Sequence, residues 1–233
     1  MSDISVVVVD DHPLFRQGVI NALSLEPGFR VIGEAASGPE ALDLIQRLKP
    51  DVAILDINLP GMNGQQVTHR LAQDLLPTRV LLLTAYDDNE QVIHAAWSGA
   101  KGYCAKDVNP DWLKCAVREI MQGHYVMGDR ILTRREFETW LTEETTRAQR
   151  LYSEPGAPFQ PLSRREMEVL GYIVRGLSNK EIAAAMGISP QTVKNHITSI
   201  LRKFGVEDRT QAVIYALRHG WVRLNSDNNR HQE

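Results

Sequence analysis

Four apolar runs in the first half of the chain each end in a residue able to do chemistry. "SVVVVDDH" (5–12) runs into two adjacent carboxylates, Asp10 and Asp11, and "DVAILD" (51–56) ends in Asp56. "RVLLLT" (79–84) ends in Thr84, and "GYCAK" (102–106) in Lys106. Three carboxylates brought close together repel unless a cation sits among them. Hard oxygen ligands suit Mg²⁺, a cation that keeps several waters and is commonly completed by a phosphate. Lys106 adds a compact positive charge and Thr84 a hydroxyl, so the set suits a phosphoryl group. A single strand-ending aspartate is usually a turn residue; the inference rests on the four ends occurring together and in order. A nucleotide-binding sheet would need a glycine-rich loop after the first strand, and "DDHPLFRQG" has none.

The elements that must position these residues follow from the hydrophobic pattern. The four runs and "RVIGEA" (30–35) read as five strands, apolar throughout as strands covered on both faces should be. Amphipathic stretches at 13–25, 38–48, 63–75, 87–98 and 109–123 alternate with them. Five strand–helix repeats predict an α/β, doubly wound, five-stranded parallel sheet. In such open sheets a site forms where the carboxyl ends of the strands converge.

Residues 1–123 resemble the receiver domain of two-component response regulators, a flavodoxin-like fold of strand order 2-1-3-4-5. The resemblance lies in the "DD" pair at 10–11, "DINLPGMNG" at 56–64, "TA" at 84–85 and "KGYCAKD" at 101–107. It implies that Asp56 is the phosphoacceptor. Asp10, Asp11 and Asp56 would bind Mg²⁺ with the backbone carbonyl of Asn58. Thr84 and Lys106 would hold phosphate oxygens, and Tyr103 would be the aromatic that changes rotamer as Thr84 moves. Tyr86, two residues beyond Thr84, stands where the family tunes phosphate lifetime with Asn58, and its ring is expected to hinder the attacking water. Leu59 replaces a common methionine, and Cys104 stands where an aliphatic residue is usual.

The 233 residues carry a net charge of −3, unevenly spread: −6 over 1–123, −1 over 124–159 and +4 over 160–233. An acidic front and a basic back suggest two domains with different partners. No apolar run is long enough to span a membrane and no secretory signal is read, so a cytoplasmic protein is expected. Two cysteines, Cys104 and Cys115, in no CxxC spacing, are expected to be core or half-buried residues rather than a disulfide.

Residues 124–160 read as a linker. Within it "TRRE" (133–136) is a capping box, and Phe137, Trp140, Leu141, Ala148 and Leu151 give a helix over 134–151 an apolar stripe. "SEPGAPFQP" closes the segment as an extended connection. Residues 161–224 then read as a small all-α domain of four helices, about 164–175, 179–186, 190–204 and 209–219. Capping boxes "SRRE", "SNKE" and "DRTQ" start three of them, and "SP" (189–190) starts the other. Residues 225–233 are polar and expected to be disordered.

Helices 179–186 and 190–204 about Gly187 form a helix-turn-helix. Val193, Ile197, Ile200, Leu201 and Phe204 share one face of the second helix. Gln191, Lys194, Asn195, Thr198 and Arg202 lie away from it, on a polar face without acid that suits a major groove. "LSRREMEVL", "GLSNKEIA", "TVKNHITSILRKFGV" and "RTQAV" resemble the LuxR-type DNA-binding domain of NarL/FixJ response regulators. The resemblance implies Lys194, Asn195 and Thr198 as base readers. Lys180, Ser189, Thr192, His196 and Lys203 would contact or shape the phosphate backbone, and Val213 and Leu217 would lie on the dimer surface. The whole chain is therefore expected to be a transcription regulator rather than an enzyme. A sensor histidine kinase or small phosphodonor would modify Asp56, and a homodimer would read double-stranded promoter DNA. A redox- or ligand-controlled regulator of the same fold is the alternative.

Overall fold

A computed structural model describes residues 3–85, 89–152 and 162–218. Tyr86, "SEPGAPFQP" and the tail at 225–233 lie outside the described residues. The chain divides into two compact units, the first through Thr145 and the second from Thr146.

The first unit is built on one sheet. Its strands are β1 (Ile4–Val9), β2 (Phe29–Ala35), β3 (Val52–Asp56), β4 (Arg79–Thr84), β5 (Gly102–Ala105), β6 (Tyr125–Met127) and β7 (Arg130–Leu132). Their order is β2-β1-β3-β4-β5-β6-β7. All neighbours are parallel except β6 and β7. The five expected strands are present in the expected order, and two short ones extend the β5 edge. These two fall in the segment read as linker. The signal for them is "YVMGDRIL", in which a Gly-Asp turn with Gly128 at φ +66° joins two three-residue strands into a hairpin.

The valines of β1 explain how the sheet is held. Val7 and Val9 enter one core with Leu55, Tyr103, α2 (Gly38–Leu48), α3 (Gly64–Gln73) and α4 (Asn89–Ser98). Val6 and Val8 enter the other with Ile54, Leu83, Cys104, α1 (Pro13–Ser24) and α5 (Pro110–Met121). Side chains alternate across a strand, so a run of four apolar residues fills both layers. On the first face the core continues into α6 (Arg134–Tyr152), where Phe137 is buried and Trp140 and Leu141 pack beside it. Phe137 stacks on Tyr125 with ring centroids 3.9 Å apart. The expected capping box starts this helix: Glu136 N–H donates to Thr133 Oγ1, and Thr133 N–H donates back to Glu136 Oε2.

The second unit packs α7 (Arg164–Val174), α8 (Asn179–Met186), α9 (Pro190–Phe204) and α10 (Arg209–Arg218) around one apolar core. Capping boxes at Ser163 and Ser178 start α7 and α8. Gly187 and Gly205, in the left-handed region, end α8 and α9.

Candidate functional site

Every strand that carries a site residue ends at one edge of the sheet. Asp56 pairs in register with Leu83, which sets Thr84 one residue further on, and Thr84 pairs with Ala105, next to Lys106. Lys106 N–H donates to Thr84 O at 2.6 Å, so backbone bonds fix the two ends relative to each other. Beyond Asp56 the chain turns back sharply. Gly64 N–H donates to Ile57 O, and a Cβ on Gly64 would stand 2.3 Å from the Asp56 carbonyl oxygen. Only glycine allows α3 to start so close to the end of β3.

Asp10 and Asp56 are each about 1 % exposed. Lys106 Nζ lies 2.6 Å from Asp10 Oδ2 and 2.9 Å from Asp56 Oδ2, well within ion-pair range of both. Burial pushes the Asp56 carboxyl above its ordinary value; Lys106 opposes this and the Asp10 charge adds to it. Asn58 N–H donates to Asp56 Oδ1 at 3.1 Å. The Asn58 side-chain amide is buried, and neither its oxygen nor its nitrogen has a hydrogen-bond partner. Thr84 and Tyr103 are fully buried.

Asp10, Asp11, His12 and Asp56 each offer a ligand atom within 4.8 Å of the others. Carboxylates at that spacing, beside an unsatisfied buried amide, fit a divalent cation with oxygen ligands. Two members of the site are not evident from the sequence pattern. His12 is one: it occupies the N-cap of α1 yet makes no capping bond, and its Nδ1 sits 2.9 Å from Asp11 Oδ1 and 3.2 Å from Asp10 Oδ1. Arg16 is the other; it donates to Asp10 O at 2.6 Å and pairs with Glu34, tying the first turn of α1 to β1 and β2. Cys104 is buried on β5, and burial pushes its thiol up to about 12.

In the second unit α9 has the expected two faces. Val193, Ile200 and Phe204 are buried, with Ile197 and Leu201 partly so. Lys194, Asn195 and Thr198 are exposed, as are Lys180 and Ser189. Asn195 Oδ1 accepts from Gln191 Nε2, Thr198 Oγ1 donates to Lys194 O, and Ser189 caps the helix through Thr192 N–H. Thr192 and His196 are half-buried.

Lys203 requires a correction. Its side chain is 11 % exposed and its Nζ lies 2.7 Å from the buried Glu166 carboxylate, so it is an internal ion pair rather than a phosphate contact. Burial alone would raise the Glu166 carboxyl, but hydrogen bonds from Lys203, Ser199 and Ser163 hold it down at about 2. On α10, Val213 and Leu217 pack partly on the unit's own core, and the exposed apolar residue is Ile214.

The sequence matches the family "Response regulator receiver domain" over residues 6–118 and "Bacterial regulatory proteins, luxR family" over residues 160–216. It is 37 % identical to the transcriptional regulatory protein DegU of Brevibacillus brevis, covering 95 % of this chain and 96 % of that protein. It is 38 % identical to the nitrate/nitrite response regulator protein NarP of Escherichia coli, over 91 % of this chain and 94 % of that one. The signal receiver domain of the response regulator NarL from Mycobacterium tuberculosis is 46 % identical, with a TM-score of 0.52 over 53 % of this chain and 99 % of that chain. RcsB from Salmonella enterica, in a structure bound to promoter DNA, is 20 % identical and shares the fold, with a TM-score of 0.65 over 92 % of this chain and 98 % of that one. With relatives of this identity along nearly its whole length, the chain belongs to the two-component response regulators that join a receiver to a LuxR-type DNA-binding domain.

Proposed function

We propose that Asp56 is the phosphoacceptor and that its phosphorylation controls promoter binding by the second unit. The observation that carries this is Lys106 bridging two buried carboxylates, Asp10 and Asp56, at the edge where the strands end. In the transfer step an Asp56 carboxylate oxygen attacks phosphorus. The bond from phosphorus to the donor breaks, and its electron pair leaves with the donor, a sensor histidine kinase or a small phosphodonor. A Mg²⁺ ion held by Asp10, Asp11, Asp56 and the Asn58 carbonyl would neutralise the phosphoryl oxygens. Lys106 provides a fixed positive charge beside the acceptor, and Thr84 a hydroxyl that follows the new oxygens. A Thr84 displacement vacates space for the Tyr103 ring, which makes a two-state packing switch.

The output is read by α9. Lys194, Asn195 and Thr198 supply base-edge contacts, and Lys180, Ser189, Thr192 and His196 supply or shape backbone contacts. Two copies, meeting through α10, read a two-fold related site in the cytoplasm. Control through a cysteine gains no support from a Cys104 thiol held at about 12. Genome-wide occupancy of the wild type and Asp56→Ala in the native cell tests the reading. Loss or redistribution of occupancy in the variant is expected. Unchanged occupancy would overturn phosphorylation control and leave DNA binding standing.

A further inference from the structure

We propose that His12 is a metal ligand through Nδ1, and that it opens the acidic centre to borderline transition ions such as Zn²⁺ and Co²⁺ as well as to a hard ion. The inference rests on the reading that these carboxylates hold a divalent cation, and it concerns which cation they select.

The geometry separates two sides of Asp10. Its Oδ2 faces Lys106, 2.6 Å away. Its Oδ1 faces the His12 backbone N–H at 2.8 Å and His12 Nδ1 at 3.2 Å. Asp11 Oδ1 lies 2.9 Å from the same nitrogen. A transition ion with ligands at about 2.0–2.1 Å holds neighbouring ligand atoms roughly 2.9–3.4 Å apart, whether the angle between them is octahedral or tetrahedral. Each of the two oxygens therefore already stands from the nitrogen at the spacing of adjacent ligands, and Asp10 meets it on the side that Lys106 leaves open.

Two further observations point the same way. An N-cap position favours Ser, Thr, Asp or Asn, whose side chains bond the first turn. Here the position holds a histidine that makes no such bond and turns to the carboxylates instead. Beside Asp56, Asn58 keeps a buried amide with neither polar atom satisfied, a second donor set lacking a partner among the described residues. Imidazole suits Zn²⁺, Co²⁺ and Ni²⁺, whereas Mg²⁺ is served by carboxylate, carbonyl and water. A nitrogen ligand thus raises affinity for the first group and adds nothing for the second.

The test titrates the full-length wild type and His12→Asn separately with MgCl₂ and with CoCl₂ or ZnCl₂. Asparagine is a favourable N-cap, so α1 is retained. Even loss of a residue that only supports a metal ligand weakens metal affinity about 10–100-fold, so loss of a ligand should weaken Zn²⁺ and Co²⁺ binding at least about tenfold. Mg²⁺ binding should stay within about twofold, by the same ligand preference. Imidazole ¹⁵N spectra of the wild type should show His12 Nδ1 moving to a metal-bound position on adding Zn²⁺. A His12→Asn variant that binds all the ions as the wild type does, or loses them all by the same factor, would overturn the assignment. So would a His12 Nδ1 resonance unmoved at Zn²⁺ saturation. Failure of the wild type to bind Mg²⁺ at all would instead overturn the underlying cation reading.

Discussion

The Glu166–Lys203 pair decides between two roles for one lysine, and Lys203→Met separates them. A carboxyl held near 2 instead of its ordinary 4.5 corresponds to about 3 kcal/mol of folded-state stabilisation at neutral pH. Glu166 is only 5 % exposed, yet its carboxyl is incompletely shielded from solvent, and screening trims the figure to about 2–3 kcal/mol. Methionine keeps the length of the side chain and removes the charge, leaving Glu166 with only the Ser163 and Ser199 hydrogen bonds. The expected loss at pH 7 is about 2–3 kcal/mol, bounded above because the stranded carboxyl can take up a proton. The pH dependence has a definite sign. The folded value is depressed, so the stabilisation is complete above 4.5 and lost as pH falls through about 2. At pH 3 the wild-type advantage should shrink to about 1 kcal/mol. Urea unfolding read by pulse-labelled hydrogen exchange of α7 and α9 peptides isolates this unit from the receiver. DNA affinity against salt gives the second reading. Each lost phosphate contact lowers the slope by about 0.9, so Lys203→Met should leave the slope unchanged. A variant with an unshifted urea midpoint and a flattened salt slope would refute the reasoning and return Lys203 to the phosphates.

Three further outcomes follow from the receiver. Asp56→Asn should raise its stability at pH 7, on the order of 1 kcal/mol, because it removes a buried carboxylate from a cluster with more acid than base. Since burial raises the folded-state value, the Asp56 contribution is fully present below the ordinary 3.8 and lost as pH climbs through the higher folded-state value; a lower urea midpoint for the variant at pH 7 would contradict this. Phe137→Ala removes a buried ring stacked on Tyr125 and should cost about 3 kcal/mol, seen as faster amide exchange over 134–141; unchanged exchange there would show that α6 does not depend on the stack. Iodoacetamide should alkylate Cys115 in the native chain and Cys104 only after denaturation, since the latter is buried with a thiol at about 12. Peptide mapping that finds Cys104 labelled at the native Cys115 rate would contradict that assignment.

The placement of the site was legible because two regularities act together. Continuous apolar runs mark strands buried on both faces, and the parallel arrangement then forces their carboxyl ends to one edge. Asp10, Asp56, Thr84 and Lys106 needed no further information. What escaped the sequence lacked a period or a local partner. The strands β6 and β7 are three residues each, too short for alternation to register, and only their Gly-Asp turn marks them. Lys203 meets Glu166 across 37 residues, a separation at which a polar lysine on a basic helix looks like any solvated one. His12 follows the aspartate pair directly, but its approach depends on the dihedrals at the N-cap, φ −93° and ψ 106°. On α10 the choice among Val213, Ile214 and Leu217 turns on which side of the helix meets α7 and α9, and apolarity alone does not distinguish them.

The two added strands alter what the start of α6 is. Strand β5 carries Tyr103 and leads directly into Lys106, and β6 is hydrogen-bonded along the same strand. Gly128 N–H donates to Tyr103 O at 2.8 Å, and Trp112 Nε1 of α5 donates to Gly128 O at 3.2 Å. One hairpin turn is thereby pinned to both the strand and the helix beside the site. From the same hairpin Tyr125 holds Phe137 by stacking, and its hydroxyl accepts from Lys101 Nζ at 2.6 Å. Close-packed interiors respond to displacement as units rather than as isolated side chains. Residues read from sequence as the beginning of a linker are thus mechanically part of the sheet. Among the described residues, the packing of this segment on the receiver core runs on through Phe137, Trp140 and Leu141.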